Sequence, residues 1–205
     1  YGDKEKKSVE TDLPSPRMVY EGTKLAATNL VQSYSKQYNL KSVIIRPFSV
    51  FGLWENNTRL IPSIFRHLIF DEKIVLYNGF HDYVYIDDLI LFVKSLIKKN
   101  KIKLSGEIIN FGSGNQLSNF EIFKLCEKNF KKKGNPKINK NFQKIYDKKI
   151  WCSDNRYLKN IKKYKLKFNI ETALKNYQKL ILKNPEVILN MKKKKENLDG
   201  EKFNY

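Results

Sequence analysis

The amino-acid sequence predicts an α/β fold with a parallel sheet, and three observations lead there. A helix-periodic stretch from Ser15 to Tyr38 is followed at once by "SVIIRPF", a short continuous apolar run of the kind buried on both faces of a sheet. A second such run, "GEIINFGSG", ends in a glycine turn and precedes another helix, so helix and strand alternate. With 41% hydrophobic and 13% aromatic residues among 205, the chain has the material for a sizeable core.

Taken in order, Ser15-Pro16 starts the first helix, with serine as N-cap and proline in the first turn, and Asn39 ends it. Tyr20, Lys24, Ala27, Val31, Tyr34 and Tyr38 fall on one stripe of that helix, so Lys24 lies on a face that is otherwise apolar. After the "SVIIRPF" strand, the loop "SVFGLWENNT" leads to a second helix over 59–70. Two strand-like runs, "KIVLY" and "DYVYI", flank Asn78-Gly79. Asp87-Asp88 opens an amphipathic helix to residue 99, with Asp87 read as a cap. Ser118-x-x-Glu121 is a capping box ahead of a helix to residue 132. The Lys-, Asn- and Gly-rich residues 133–150 read as loop, "KIWCSD" as a last strand, and 155–163 and 170–183 as closing helices. From 186 the composition shifts to Lys, Glu and Asn. The expected organisation is therefore one incomplete domain over 1–185 and a Lys-rich mobile tail over 186–205.

Composition narrows the function. No run approaches the roughly 18 apolar residues of a membrane span, and the opening "YGDKEKKSVE" has no apolar signal-peptide core, so a cytoplasmic protein without a membrane partner is expected. Cys126 and Cys152 stand away from other metal-ligand types and are read as reduced thiols, with no metal site. The net charge of +19 raises nucleic acid as a partner. The excess is almost all lysine, accompanied by abundant Asn and Ile, a bias that an AT-rich genome produces without selection for a partner. The runs "FKKKGN" and "NMKKKKENLDG" also lack the interleaved aromatics of a stacking platform, so no nucleic-acid partner is expected.

The stretch "MVYEGTKLAAT" places Tyr20 one helical turn before Lys24. Chance alone supplies roughly two Tyr-x-x-x-Lys matches in a chain this rich in lysine, and one is present. Its context carries the meaning. "YG" at 1–2, "YEGTK" at 20–24, "RPFSVFG" at 46–52, "HDYVYIDDL" at 81–89 and "NFGSG" at 110–114 follow one another in order and spacing.

Together these motifs resemble the extended short-chain dehydrogenase/reductase family, the nucleotide-sugar epimerases and dehydratases, over residues 1–182. The resemblance implies the C-terminal part of a Rossmann-type parallel sheet with a smaller substrate-binding lobe, and NAD or NADP as cofactor. It implies a nucleotide-sugar substrate and a homodimer paired through the tyrosine helix and its neighbour. It makes Tyr20 the base that takes a proton from a sugar hydroxyl while a bound dinucleotide takes the hydride. A phenol of pKa about 10 is a poor base at neutral pH, and the Lys24 ammonium one turn away stabilises the phenolate. Lys24 would also hold the nicotinamide ribose.

The family pattern also places Pro47 and Phe48 beside the cofactor, though plain core packing explains Phe48 equally well. It places Ser49, Leu60, His81 and Lys144 against the substrate. Ser49 stands where Asn is usual and offers a shorter hydroxyl. His81 replaces the arginine that grips the substrate diphosphate, and a neutral imidazole cannot make a two-pronged charged contact. Lys144 is more simply read as one more solvated surface lysine.

"GSG" at 112–114 lacks the third glycine of a dinucleotide fingerprint and is read as a structural turn. The family's fingerprint, on a strand and helix N-terminus, is not found in 1–205, so the N-terminal βαβ units, roughly 110–130 residues, are expected to be absent. The fragment alone is then expected to be inactive. Two rivals remain open: a non-catalytic α/β remnant that binds a sugar nucleotide or a protein partner, and a basic nucleic-acid binder.

Overall fold

Secondary structure follows the chain in the order α1 (Val19–Gln37), β1 (Ser42–Pro47), β2 (Ser49–Phe51), α2 (Leu60–Phe70), β3 (Val75–Tyr77), β4 (Phe80–His81), β5 (Tyr83–Tyr85), α3 (Ile86–Lys98), β6 (Ser105–Phe111), β7 (Leu117–Ser118), α4 (Asn119–Phe130), β8 (Lys137–Asn139), a π-turn (Tyr157–Ile161) and α5 (Ile170–Lys183). The computed structural model describes residues 1–2, 4–98, 105–139, 150–161, 163–184 and 186–187. These residues form two compact units. The first is drawn from Tyr1–Val50, Gly79–Leu117 and Ile145–Lys167, the second from Phe51–Asn78, Ser118–Lys144 and Phe168–Tyr205.

In the first unit the two apolar runs pair as parallel strands, β1 with β6, with Ile44 opposite Ile108 and Ile45 opposite Ile109. That is the α/β arrangement with parallel strands read from the sequence. Ile109 and Phe111 of β6 join Val84, Phe92 and Leu158 in a buried cluster, to which α3 contributes Phe92, stacked on Phe111 at 5.0 Å between ring centroids. Burying each such side chain contributes roughly 1.5–3 kcal/mol. Helix α1 lies on this sheet at Gly106, where φ is +72° and an added Cβ would sit 3.0 Å from the Gln32 Cα. The glycine therefore sets how closely helix and strand approach.

Helix α1 begins later than the sequence predicts. Its first residue is Val19, with extended backbone at Met18, because the Glu21 carboxylate accepts from the backbone N–H of Arg17 (2.7 Å) and Met18 (3.4 Å) and caps the helix there. Ser15 and Pro16 stay outside it. "KIWCSD" also departs from expectation. Instead of a strand its described part makes a single parallel bridge, Ser153 to Ser8, and the helix expected after it is reduced to the π-turn.

The second unit packs α2, α4 and α5 on one another. Ile61, Ile64, Phe65 and Leu68 recur at helical spacing on α2 and are all buried. Phe65 sits edge-on to Phe130 at 4.9 Å and tilted against Tyr177 at 4.8 Å. The capping box predicted for α4 forms: Ser118 Oγ accepts from the Glu121 N–H (3.2 Å) and the Glu121 carboxylate from the Ser118 N–H (2.7 Å). Lys137–Asn139, read from composition as loop, pairs parallel with β3 as β8. Of the predicted tail only Glu186 and Val187 are described, and Val187 is buried; 188–205 lie outside the described residues.

Candidate active site

Tyr20 and Lys24 lie on the first two turns of α1, where one helical turn brings them together: the Lys24 ammonium sits over the Tyr20 ring, 5.3 Å from its centroid. Tyr20 is 68% exposed, and neither its hydroxyl nor the Lys24 ammonium hydrogen-bonds a described residue. Tyr34 and Tyr38 continue the same open stripe, their rings 5.5 Å apart. The pair therefore faces outward, with phenol and ammonium available to a ligand.

A second group forms at the C-terminal end of β1. Pro47 ends the strand and is exposed. Phe48 is half-buried: its N–H donates to the Phe111 carbonyl (3.0 Å) and its ring lies 5.9 Å from Trp151. Ser49 is buried, donates its N–H to the Asp82 carbonyl (2.9 Å), and has its hydroxyl 3.1 Å from His81 Nδ1. His81 packs its ring against Tyr83 at 5.6 Å. Two of the predicted substrate contacts, Ser49 and His81, are thus in direct contact. Leu60 belongs to the second unit, as the half-buried first residue of α2, and Lys144 lies outside the described residues.

What ties this region together is Asp82, which the motif reading passed over. It is fully buried, and its carboxylate accepts from the N–H and hydroxyl of Ser113 (2.7 and 2.6 Å), the N–H of Gly114 (3.1 Å), and the N–H and hydroxyl of Ser153 (3.0 and 2.7 Å). Its own N–H donates to the Trp151 carbonyl. The period of two in His81-Asp82-Tyr83-Val84 sets Asp82 on the same side as buried Val84, the one sequence cue to its position. The "GSG" turn is thereby explained. Its Ser113 and Gly114 N–H groups point at Asp82, so they are spent inside the protein and are not offered to a phosphate.

Both thiols are free and buried. Burial pushes Cys126 far up, and burial followed by the Asp82 charge pushes Cys152 to about 11, so both are protonated near neutral pH. Among the described residues no cluster of His, Cys, Asp and Glu could hold a metal, and no helix is long and apolar enough to cross a membrane.

Residues 1–112, which hold the Tyr20–Lys24 pair and the Ser49–His81 contact, match the profile of the NAD dependent epimerase/dehydratase family. The chain belongs to that family. Among curated relatives of this epimerase/dehydratase chain, UDP-glucuronate 4-epimerase of Thermodesulfobacterium geofontis is 30% identical over 185 residues, 87% of this chain and 54% of that protein. dTDP-D-glucose 4,6-dehydratase of Dictyostelium discoideum is 28% identical over 120 residues, 57% of this chain and 27% of that protein. The fold is shared with solved structures. UDP-glucuronic acid 4-epimerase from Bacillus cereus, in complex with UDP-glucuronic acid and NAD, aligns with a TM-score of 0.79 at 24% identity, covering 89% of this chain and 58% of that one. dTDP-glucose 4,6-dehydratase from Bacillus anthracis, in complex with NAD, aligns with a TM-score of 0.78 at 20% identity, covering 90% and 59%. These neighbours make the fold the Rossmann-type α/β fold of epimerases and dehydratases. The chain spans little more than half the length of these structures.

Proposed function

We propose that this chain is the catalytic and substrate-binding part of an NAD(P)-dependent nucleotide-sugar epimerase, dehydratase or reductase. The observation that carries the reading is the Tyr20–Lys24 pair, held one helical turn apart with the ammonium 5.3 Å over the ring and open to a ligand, within the stretch that matches the family.

On this reading Tyr20 Oη removes the proton of a sugar hydroxyl. The dinucleotide, when bound, supplies the hydride acceptor. Lys24 sits one turn from the phenol, and its ammonium is a donor for the hydroxyls of the nicotinamide ribose. The residues present fit part of that cofactor. The open phenol and ammonium suit a ribose, and Pro47 and Phe48 offer an apolar contact to a nicotinamide ring. The "GSG" turn does not suit a pyrophosphate, its N–H groups being bound to Asp82. Ser49, Leu60, His81 and Lys144 are the proposed substrate contacts.

The test is Tyr20→Phe in a full-length protein that carries a dinucleotide-binding half. Removal of one hydroxyl from an exposed position leaves folding and cofactor affinity nearly unchanged and lowers hydride transfer by about 10² or more. An unchanged rate of nicotinamide reduction would remove Tyr20 from the mechanism.

A further inference from the structure

Ahead of α1 the chain forms no helix, and its β-pairing among the described residues is the single bridge of Ser8 to Ser153. Side-chain bonds from the sheet hold it instead, and most of them come from one residue. Asn110 is fully buried near the end of β6, in register with Arg46 of β1. The period of two along β6 puts it on the same side as Gly106, the side that carries α1. Its Nδ2 donates to the Ser8 carbonyl (3.0 Å), its Oδ1 accepts from the Tyr1 hydroxyl, and its backbone N–H donates to Glu10 Oε1 (3.0 Å). The Arg46 guanidinium lies 4.9 Å from the centroid of the Tyr1 ring, so Tyr1 is held from both strands.

From there the contacts run on to the helix. Gly2, with φ of +75°, packs so closely on Ser15 that an added Cβ would lie 2.7 Å from the Ser15 carbonyl oxygen. Two residues later the Arg17 N–H donates to the Glu21 carboxylate that caps α1, and Tyr20 stands in that capped turn. Neither Tyr20 nor Lys24 has a side-chain hydrogen bond to a described residue, so the helix backbone alone sets their place. The second half of α1 is fixed to the sheet through Gln32 at Gly106 and through the Ser35 and Ser42 hydroxyls. The first half is entered from the chain that Asn110 holds.

We propose that Asn110 is a positioning residue for Tyr20: by binding residues 1–10 to the ends of β1 and β6, it fixes the first turns of α1 and with them the phenol. This rests on the reading of Tyr20 as the base and adds to it a residue that touches neither cofactor nor sugar. Proton abstraction in step with hydride transfer tolerates little displacement of the phenol.

The first measurement needs no cofactor. Amide hydrogen exchange of the 205-residue chain is compared with that of Asn110→Ala and of Tyr1→Phe, a milder change that removes one hydroxyl and keeps the ring. Exchange of the α1 amides at 22–27 is expected to rise about tenfold in Asn110→Ala and about threefold in Tyr1→Phe, with 30–37 unchanged. Equal acceleration along the whole helix, or none in either variant, overturns the positioning role. The second measurement uses a full-length protein that carries a dinucleotide-binding half. There kcat is expected to fall about tenfold in Asn110→Ala and about threefold in Tyr1→Phe, with KM nearly unchanged in both. If Tyr20→Phe abolishes hydride transfer while these two variants keep the parent kcat, the positioning role alone is overturned. If Tyr20→Phe keeps the full rate, the base reading fails and the positioning role with it. Should Asn110→Ala not fold, Tyr1→Phe decides both measurements.

Discussion

Asp82 is a fully buried carboxylate and Glu55 a largely buried one, its side chain 15% exposed, and the difference in their partners makes them opposites for stability. The Asp82 oxygens meet five donors from Ser113, Gly114 and Ser153. Asp82→Asn turns an amide N–H toward groups that are themselves donors, and a loss of about 3 kcal/mol is expected from the denaturation midpoint. A loss under about 1 kcal/mol would mean that water replaces those bonds. Glu55 has the reverse behaviour. Burial raises its carboxyl from 4.5 to about 7 on folding, so its contribution is fully present below pH 4.5 and is lost as pH rises through 7. Glu55→Gln does not titrate. The variant should match the unaltered chain below pH 4.5 and exceed it by about 2 kcal/mol at pH 8, read from denaturant unfolding at the two pH values. A gap that is the same at both pH values would assign the effect to packing.

At the scale of the element, Gly106 is where α1 and β6 constrain each other. Gly106→Ala adds a methyl 3.0 Å from the Gln32 Cα at a left-handed φ of +72°, and a loss of about 1–2 kcal/mol, with raised amide exchange in α1 and β6, is expected. Amide exchange unchanged in both would show that the helix lifts without loosening. The same elements show what the sequence could reveal. Helices α2, α4 and α5 were legible because their apolar positions repeat at three and four and local chemistry marks their ends, as Ser118 and Asn169 do by accepting from the N–H three residues on. The start of α1 was misread because two signals compete within six residues. Ser15-Pro16 has the right composition, but Glu21 reaches back to the N–H groups of Arg17 and Met18 and places the end there. Strand β8 was invisible because its ladder is supplied by β3, some sixty residues away, and only Ile138 among its residues is apolar. Tyr20 and Lys24 were legible for the opposite reason: their contact is one helical turn long. Asp82 and Glu55 were not, since each owes its character to burial and to partners that residue order does not announce.

For the molecule as a whole, the open face of α1 is the feature with most consequence. Val19, Tyr20, Leu30, Val31, Tyr34 and Tyr38 are all exposed there, and β1 pairs with β6 alone among the described residues. The neighbours with NAD are longer chains, of which this one covers 58–59%. We expect the 205-residue chain by itself to bind NAD and NADP weakly, with no heat of binding at micromolar concentrations in a calorimetric titration. Micromolar affinity would show that its own residues complete a dinucleotide site.

Asp82 also sets an order of events for a chain made from its N-terminus. Ser113 and Gly114 reach the carboxylate soon after it is synthesised, but Ser153 comes about seventy residues later, after much of the second unit has emerged. Until Ser153 is made the carboxylate lacks two of its five donors, and the parallel bridge of Ser153 to Ser8 cannot form. A ribosome stalled between 117 and 153 would hold a nascent chain whose first unit still lacks the two Ser153 donors to Asp82.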